Sequence, residues 1–174
     1  MLRFIKRNAL PIALLLVVLW AAVIFAFSAA DATDSSKTSS GVTRVLCSLL
    51  VPDFNEMSRA MQRAVIRRYA LYVRKAAHFT EYMIFGVLLY TAVYVIEKRR
   101  PLHNAPVLAW VFGTLYAVSD ECHQYFVPGR SMQLRDMLID SFGTLIGIAL
   151  GMLLFAAYAA HRAKRFGSSS KPRH

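Results

Sequence analysis

Two stretches of this chain run without a charged residue for the length that crosses a lipid bilayer. Residues 10–30 are 21 apolar or small residues, and residues 141–160 also hold no charge. An α-helix of about 20 such residues spans the hydrocarbon core of a bilayer, which is about 30 Å thick. The hydrophobic content of 56% and the mean hydropathy of +0.41 are high for a soluble domain. The sequence therefore predicts an integral membrane protein.

Two further runs, residues 76–96 and 105–127, have the same length but carry polar groups at one end. We therefore predict an all-α integral membrane bundle of four transmembrane helices, with an amphipathic interfacial helix between the first and the second. The predicted segments are a basic cytoplasmic N-terminus (1–9), transmembrane helix 1 (10–30), an external loop with the amphipathic helix (31–75), a core with transmembrane helices 2–4 (76–160) and a basic, disordered cytoplasmic tail (161–174).

The predicted external loop has two parts. Residues 31–41 are rich in Asp, Ser and Thr, which is typical of a solvated loop. Residues 55–75 place most of their arginines on one helical side and apolar residues on the other. A helix of this kind lies at a membrane surface with its arginines near lipid phosphates, or packs as a short soluble helix on the outer ends of the spans.

Residues 10–30 also have a feature of signal peptides, because residues 30–32 form a small-x-small pattern. The apolar run is longer than the hydrophobic region of a typical signal peptide, which favours a retained helix. Pro11 and Pro106 are predicted in the first turns of their helices, where the missing N–H is not needed.

The net charge of +11 is compatible with a nucleic-acid partner. The basic residues flank apolar runs rather than form one basic domain, so no nucleic acid is predicted as a partner. The two cysteines, Cys47 and Cys122, are not predicted to pair, because Cys122 lies inside an apolar run.

The distribution of lysine and arginine orients the four predicted spans. The segments on one side hold eleven of the 21 Lys and Arg residues, and the other side holds ten. Eight of those ten lie in residues 31–75, mostly in the amphipathic part. The positive-inside rule gives most weight to short segments close to the spans. We therefore predict that both termini are cytoplasmic.

Three clusters of polar residues lie at the ends of the second, third and fourth predicted spans. A charge at the bilayer centre costs roughly 2.5 to 3.5 kcal/mol even on the lenient insertion scale. Charged groups within predicted spans therefore indicate a structural or functional role. The clusters are Arg74, Lys75, His78, Glu81 and Tyr82, then Asp120, Glu121, His123, Gln124 and Arg130 around a turn at Pro128-Gly129, and then Asp136 and Asp140. Alternating helix directions bring all three clusters to the same, outward membrane face.

A glycine repeat is the clearest packing signal of the fourth predicted span. Gly143, Gly147 and Gly151 recur every four residues, and Asp136 and Asp140 continue the same stripe. Small residues at this spacing let two helix backbones approach closely in lipid. The glycine face is therefore predicted to pack against a neighbouring helix, and it is the candidate contact of a homo-oligomer.

The polar clusters and the glycine repeat resemble the signature of the VanZ-like family of bacterial membrane proteins over about residues 74–151. Phe27 and Ser28, at the end of the first span, also resemble the family. One departure is Asp140, where the family frequently has asparagine. The resemblance implies a multi-pass protein of the bacterial cytoplasmic membrane, linked to resistance to the glycopeptide teicoplanin and working at the outer surface, where cell-wall precursors are displayed. It does not supply a biochemical activity.

An enzyme that modifies a lipid headgroup would use His78 as a general base or acid, because imidazole titrates near neutral pH. Neighbouring carboxylates would orient it or share a proton, while Arg130 and Lys75 would grip a phosphate or carboxylate. The predicted catalytic residues are His78, Glu81, Asp120, Glu121 and His123. The predicted substrate-binding residues are Arg74, Lys75, Tyr82, Gln124, Arg130, Asp136 and Asp140.

The residues leave other functions open. The clusters could bind an envelope lipid, a lipid-linked precursor or a glycopeptide without turnover, or form the proton relay of a small transporter. They could equally tie helix ends together near the hydrated headgroups. A metal held by His78, His123 and carboxylates fits the residue types, but no metal is assigned and the cofactor is unknown.

Overall fold

The computed structural model describes residues 2–98 and 104–167, and over these residues it is all-α, without strands. This confirms the predicted all-α class. The helices are α1 (Leu2–Ser28), α2 (Ala32–Leu50), α3 (Arg59–Glu97), α4 (Ala105–Gln124) and α5 (Leu134–Gly167), with one 3-10 turn at Phe54–Glu56. Residues 99–103 of the predicted basic turn and residues 168–174 of the predicted disordered tail lie outside the described residues.

Three helices in the described part of the chain are long and apolar enough to cross a membrane. They are Asn8–Ser28 in α1, Arg59–Glu97 in α3 and Leu134–Arg165 in α5. The 20 residues of α4 have sufficient length, but the acidic pair Asp120 and Glu121 near the C-terminal end lowers its hydropathy. Length and composition therefore support three of the four predicted spans.

Helix α4 lies beside the three apolar helices. It runs parallel to α1, because the Tyr116 hydroxyl donates to the Ala21 carbonyl at 2.7 Å and Ser28 reaches the last turn of α4. It runs antiparallel to α3. Phe85 of α3 packs on Tyr116 of α4 with tilted rings, whereas Tyr90, later on α3, shares a buried cluster with Ala109, which comes earlier on α4. Helix α3 contacts each of the other four α-helices and is the centre of the bundle.

The glycine face of α5 packs against α3, which confirms the predicted close approach. A Cβ added at Gly143 would lie 2.6 Å from the Phe79 carbonyl oxygen, and one added at Gly147 would overlap the Met83 carbonyl. Backbone therefore meets backbone along this contact. The neighbour is a helix of the same chain, so a homo-oligomer could use this face only by displacing α3.

Residues 32–50 form a helix, so the prediction of a solvated loop over residues 31–41 is wrong. Asp31 caps this helix by accepting the backbone N–H of Asp34 at 2.8 Å. Within the helix, the hydroxyls of Ser39 and Thr43 donate to carbonyls one turn earlier. Hydroxyl groups that bond back to their own helix make a polar composition compatible with helix.

The amphipathic segment and the second predicted span form one continuous helix of 39 residues, α3. At about 1.5 Å per residue it is about 58 Å long, roughly twice the thickness of a hydrocarbon core. The predicted amphipathic helix is therefore continuous with the second span, and its position at the membrane interface stays a prediction. The first half of α3 pairs with α2 in a helical hairpin, whose small core contains Cys47, Phe54 and Ile66.

The ends of the helices differ from the predicted boundaries. Pro11 lies inside α1 rather than in its first turn, a position that membrane helices tolerate. Pro106 lies in the first turn of α4, as predicted. Helix α5 begins at Leu134 and continues to Gly167, so residues 161–167 of the predicted tail are helical.

We expect Gly147→Ala to lower the free energy of unfolding by about 1 to 3 kcal/mol, because the added methyl group would force α5 away from the α3 backbone. The measurement is thermal unfolding of the purified protein in detergent.

Gly41→Ala is the matched control, because Gly41 lies in α2 with no atom within 4 Å of an added Cβ. It should leave stability unchanged or raise it by up to about 1 kcal/mol, since alanine favours helix. Equal midpoints for the two variants would contradict the tight α3–α5 contact.

Candidate functional site

Polar side chains from four helices meet at the end of the bundle where α1 and α4 end and α5 begins. Ser28, the last residue of α1, donates to Asp120 Oδ2 at 2.8 Å. Gln124, one turn after Asp120, donates to Ser28 Oγ at 3.2 Å and to Asp120 Oδ2 at 3.3 Å. These bonds hold one oxygen of Asp120 and join α1 to α4.

The chain then reverses at Pro128-Gly129, as predicted. The Arg130 N–H donates to the Val127 carbonyl at 3.1 Å, and Gly129 has a φ of 73°, which glycine adopts without strain. The turn directs the Arg130 guanidinium back to the bundle, where it donates to Gln124 Oε1 at 2.9 Å. Arg130 thereby joins the Ser28–Asp120–Gln124 network.

Helix α3 contributes the imidazole of His78. Its Nδ1 atom has no hydrogen-bond partner among the described residues, and Glu81 Oε2 lies 3.7 Å away, beyond hydrogen-bond distance. Tyr82, on the next position of α3, is fully buried in the apolar cluster with Ile24 and Phe85. The structure therefore places His78 and Glu81 at the polar end and assigns the Tyr82 ring to the core.

Helix α5 contributes two aspartates in different surroundings. Asp136 forms an ion pair with Lys75 of α3. Asp140, one turn deeper, is only 2% exposed. One ligand-type atom from each of His78, Asp120 and Asp140 lies within 4.8 Å of the others, so these three side chains form the group that could hold a metal ion.

Two predicted catalytic residues have partners outside this group. Glu121 accepts the backbone N–H of Gln133 at 2.9 Å and so fixes the chain just before α5. The ring of His123 packs on Phe25 of α1 with centroids 4.5 Å apart. Neither residue lines the cavities at this end of the bundle.

A cavity of about 310 Å³ opens beside the polar network. Its lining contains four lysine or arginine side chains and one carboxylate. The charged and imidazole residues that line it are Arg74, Lys75, His78, Arg130, Arg135 and Asp136. We call this space the cationic cavity.

A second cavity of about 260 Å³ adjoins the cationic cavity and shares Arg74, His78 and Arg130 with it. The rest of its wall comes from α1, the connection after it, α2 and α3, and it includes several apolar side chains. These are Phe27, Ala30, Val42, Val73 and Ala77. We call this space the apolar cavity.

The arginines of the cationic cavity are not neutralised within the described part of the chain. Arg74 donates to the hydroxyls of Ser36 and Ser39 on α2, and Arg74, Arg130 and Arg135 form no ion pair there. Burial lowers the pKa of Arg130, and the nearby charge of Arg74 lowers it further. A guanidinium nevertheless stays protonated in proteins, so the cavity keeps its positive charge.

The predicted site omitted Ser28, Arg135 and the serines of α2 that bind Arg74. Ser28 carried a signal, because it belongs to the family resemblance at the end of the first span. The α2 serines carried none, because their segment has the composition of a loop. Arg135 adjoins Asp136 in sequence, but only the helix start at Leu134 determines that both face the cavity.

Comparison with known proteins gives one match. The family model described as VanZ/LLP1 matches residues 13–155, which run from α1 into α5 and include every residue of the polar network and the cationic cavity. No curated protein and no solved structure matches the chain. A family match over this share of the sequence is decisive, and the chain belongs to the VanZ/LLP1 family.

Proposed function

We propose that this membrane protein binds the phosphate-bearing headgroup of an envelope lipid or of a lipid-linked cell-wall precursor at the outer face of the bacterial cytoplasmic membrane. The observation that carries the proposal is the pair of adjoining cavities, one cationic and one apolar, which share Arg74, His78 and Arg130. An amphiphile has the same two parts, an anionic head and an apolar chain.

The chemistry of the cationic cavity favours phosphate. A guanidinium offers a planar set of donors that matches phosphate oxygens in pairs. Arg74 and Arg130 are held by hydroxyl and amide groups rather than by carboxylates, so their charge is available to a ligand. The only lysine of the cavity, Lys75, is paired with Asp136 and supports the wall.

The packing of α4 supports a four-span topology, in which both termini lie on the same side of the membrane; the distribution of lysine and arginine favours the cytoplasm for that side. A helix of 20 residues is about 30 Å long, the thickness of a hydrocarbon core. Its acidic end is tolerable in a membrane because Asp120 and Glu121 are buried in protein rather than turned to lipid. The network through Ser28 and the Trp20 bond to the Glu81 carbonyl also support a retained α1.

A modifying enzyme is the second candidate function, and the position of His78 favours it. The imidazole lines both cavities, so a bound headgroup would contact a group able to transfer protons near neutral pH. Either function at the outer leaflet would act where teicoplanin meets its cell-wall target, which is the proposed link to glycopeptide resistance.

The topology is tested with single cysteines at two exposed positions, Ser131→Cys and Asn104→Cys, after Cys47 and Cys122 are replaced by serine. A membrane-impermeant maleimide should label residue 131 in intact cells and residue 104 only after permeabilisation. Labelling of both positions in intact cells would mean that α4 does not cross. The reverse pattern would place the cationic cavity in the cytoplasm.

Headgroup binding is tested with Arg130→Gln. We expect the wild type to bind short-chain phosphatidic acid in preference to phosphatidylcholine of the same chain length. The variant should bind phosphatidic acid at least about tenfold more weakly, because a hydrogen bond to a charged group contributes about 1.5 to 3 kcal/mol. Native mass spectrometry of the detergent-purified protein gives both affinities.

Arg68→Gln is the control. It also removes one positive charge, but Arg68 lies on α3 and lines neither cavity. Its binding should stay within about threefold of the wild type. Equal weakening in both variants would indicate general surface attraction instead of a site. Unchanged binding by Arg130→Gln with a lower unfolding temperature would indicate that Arg130 stabilises the fold and does not bind the headgroup.

Teicoplanin susceptibility of cells that express the two variants tests the proposed link to resistance.

A further inference from the structure

We propose that His78, Asp120 and Asp140 form a binding site for a divalent metal ion, Zn²⁺ or Mn²⁺, beneath the cationic cavity. The three residues come from α3, α4 and α5, and one ligand-type atom from each lies within 4.8 Å of the others. Ligands bound about 2.0 to 2.2 Å from a metal lie about 3 to 4 Å apart. Small side-chain rotations therefore suffice to close the site.

The buried carboxylates provide a second and independent observation. Asp120 is 4% exposed and Asp140 is 2% exposed. In each, the Oδ1 oxygen is buried and receives no hydrogen bond from the described part of the chain. An unpaired buried acceptor is unfavourable, and an unpaired buried charge is more so. A shared metal ion would satisfy both oxygens, whereas the buried Tyr82 hydroxyl, which also lacks a partner there, can donate to only one of them.

The surrounding cations that the structure describes form no ion pair with these two carboxylates. Lys75 forms its ion pair with Asp136, and one nitrogen of the Arg130 guanidinium donates to Gln124. No Lys or Arg within the described residues forms an ion pair with Asp120 or Asp140. The two carboxylates therefore share a proton, accept a hydrogen bond from the imidazole, or share a metal ion, and only the metal ion would bind all three side chains at once.

The ligand set determines the class of metal. One imidazole nitrogen with two carboxylates suits Zn²⁺ and Mn²⁺ better than a thiolate-seeking metal. Ser28 and Gln124 both donate to Oδ2 of Asp120, which leaves Oδ1 without a partner in the described part of the chain. Partners that fix a ligating carboxylate in this way are characteristic of metal sites.

The site also has a place for a ligand. Three protein ligands leave at least one coordination position open, as in catalytic zinc sites. His78 lines the cationic cavity, so a phosphate oxygen held by Arg74 and Arg130 would be near that position. This role of the metal rests on the proposed headgroup function, whereas the existence of the metal site does not.

The test uses the full chain, freed of its affinity tag, in nanodiscs of phosphatidylcholine without anionic lipid. After treatment with a chelator and dialysis against Zn²⁺ or Mn²⁺, we expect about one metal ion per chain by mass spectrometry and a higher unfolding temperature. Asp140→Asn should weaken metal binding at least about 100-fold, since even outer partners of metal ligands matter 10- to 100-fold.

Two further variants keep the test decisive. Asp34→Asn removes a carboxylate that pairs with Lys37 on the exposed surface of α2, and it should bind metal like the wild type. His78→Gln replaces the ligand at the cavity wall and should not bind the metal. This variant tests the site independently if Asp140→Asn fails to fold. Metal binding by His78→Gln at wild-type affinity would overturn the proposal.

The outcome separates this inference from the proposed function. A wild type that retains no metal and shows no thermal shift would leave Asp120 and Asp140 sharing a proton, and the metal site would be wrong. Preference for phosphatidic acid that persists in chelator would then leave headgroup binding intact. Metal bound without any preference for phosphatidic acid would instead overturn headgroup binding and keep the metal site.

Discussion

The close contact between the backbones of α3 and α5 is the interaction on which the rest of the structure depends. Gly143 and Gly147 let α5 lie directly on the carbonyls of Phe79 and Met83. Because no side chain separates the two helices, Asp140, one turn before Gly143, is brought to the depth of His78. The glycine stripe therefore positions the polar end of the bundle as well as stabilising it.

The sequence predicted the features that one helix or one turn determines. Apolar length identified α1 and α5, the glycine period identified the packed face of α5, and Pro128-Gly129 identified the turn. Alternation of helix directions was enough to bring His78, Asp120 and Asp140 to one end of the bundle. These features follow from local sequence and from the short connections between helices.

The remainder depends on contacts between helices, which periodicity does not contain. Helix α2 has the composition of a loop and is helical because it packs on the first half of α3. His123 and Asp120 are three residues apart on α4 and both contact α1, yet one packs on the Phe25 ring and the other accepts a hydrogen bond from Ser28. Arg135 enters the cavity only because α5 begins one residue earlier.

The unbroken course of α3 has a mechanical consequence. A single continuous helix carries the hairpin with α2 at one end, the wall of the cavities in its middle and the contacts with α4 and α5 at the other end. Arg74 of α3 donates to the hydroxyls of Ser36 and Ser39 and so attaches α2 to this helix at the cavity wall. A force that moves the hairpin would therefore change the width of the two cavities.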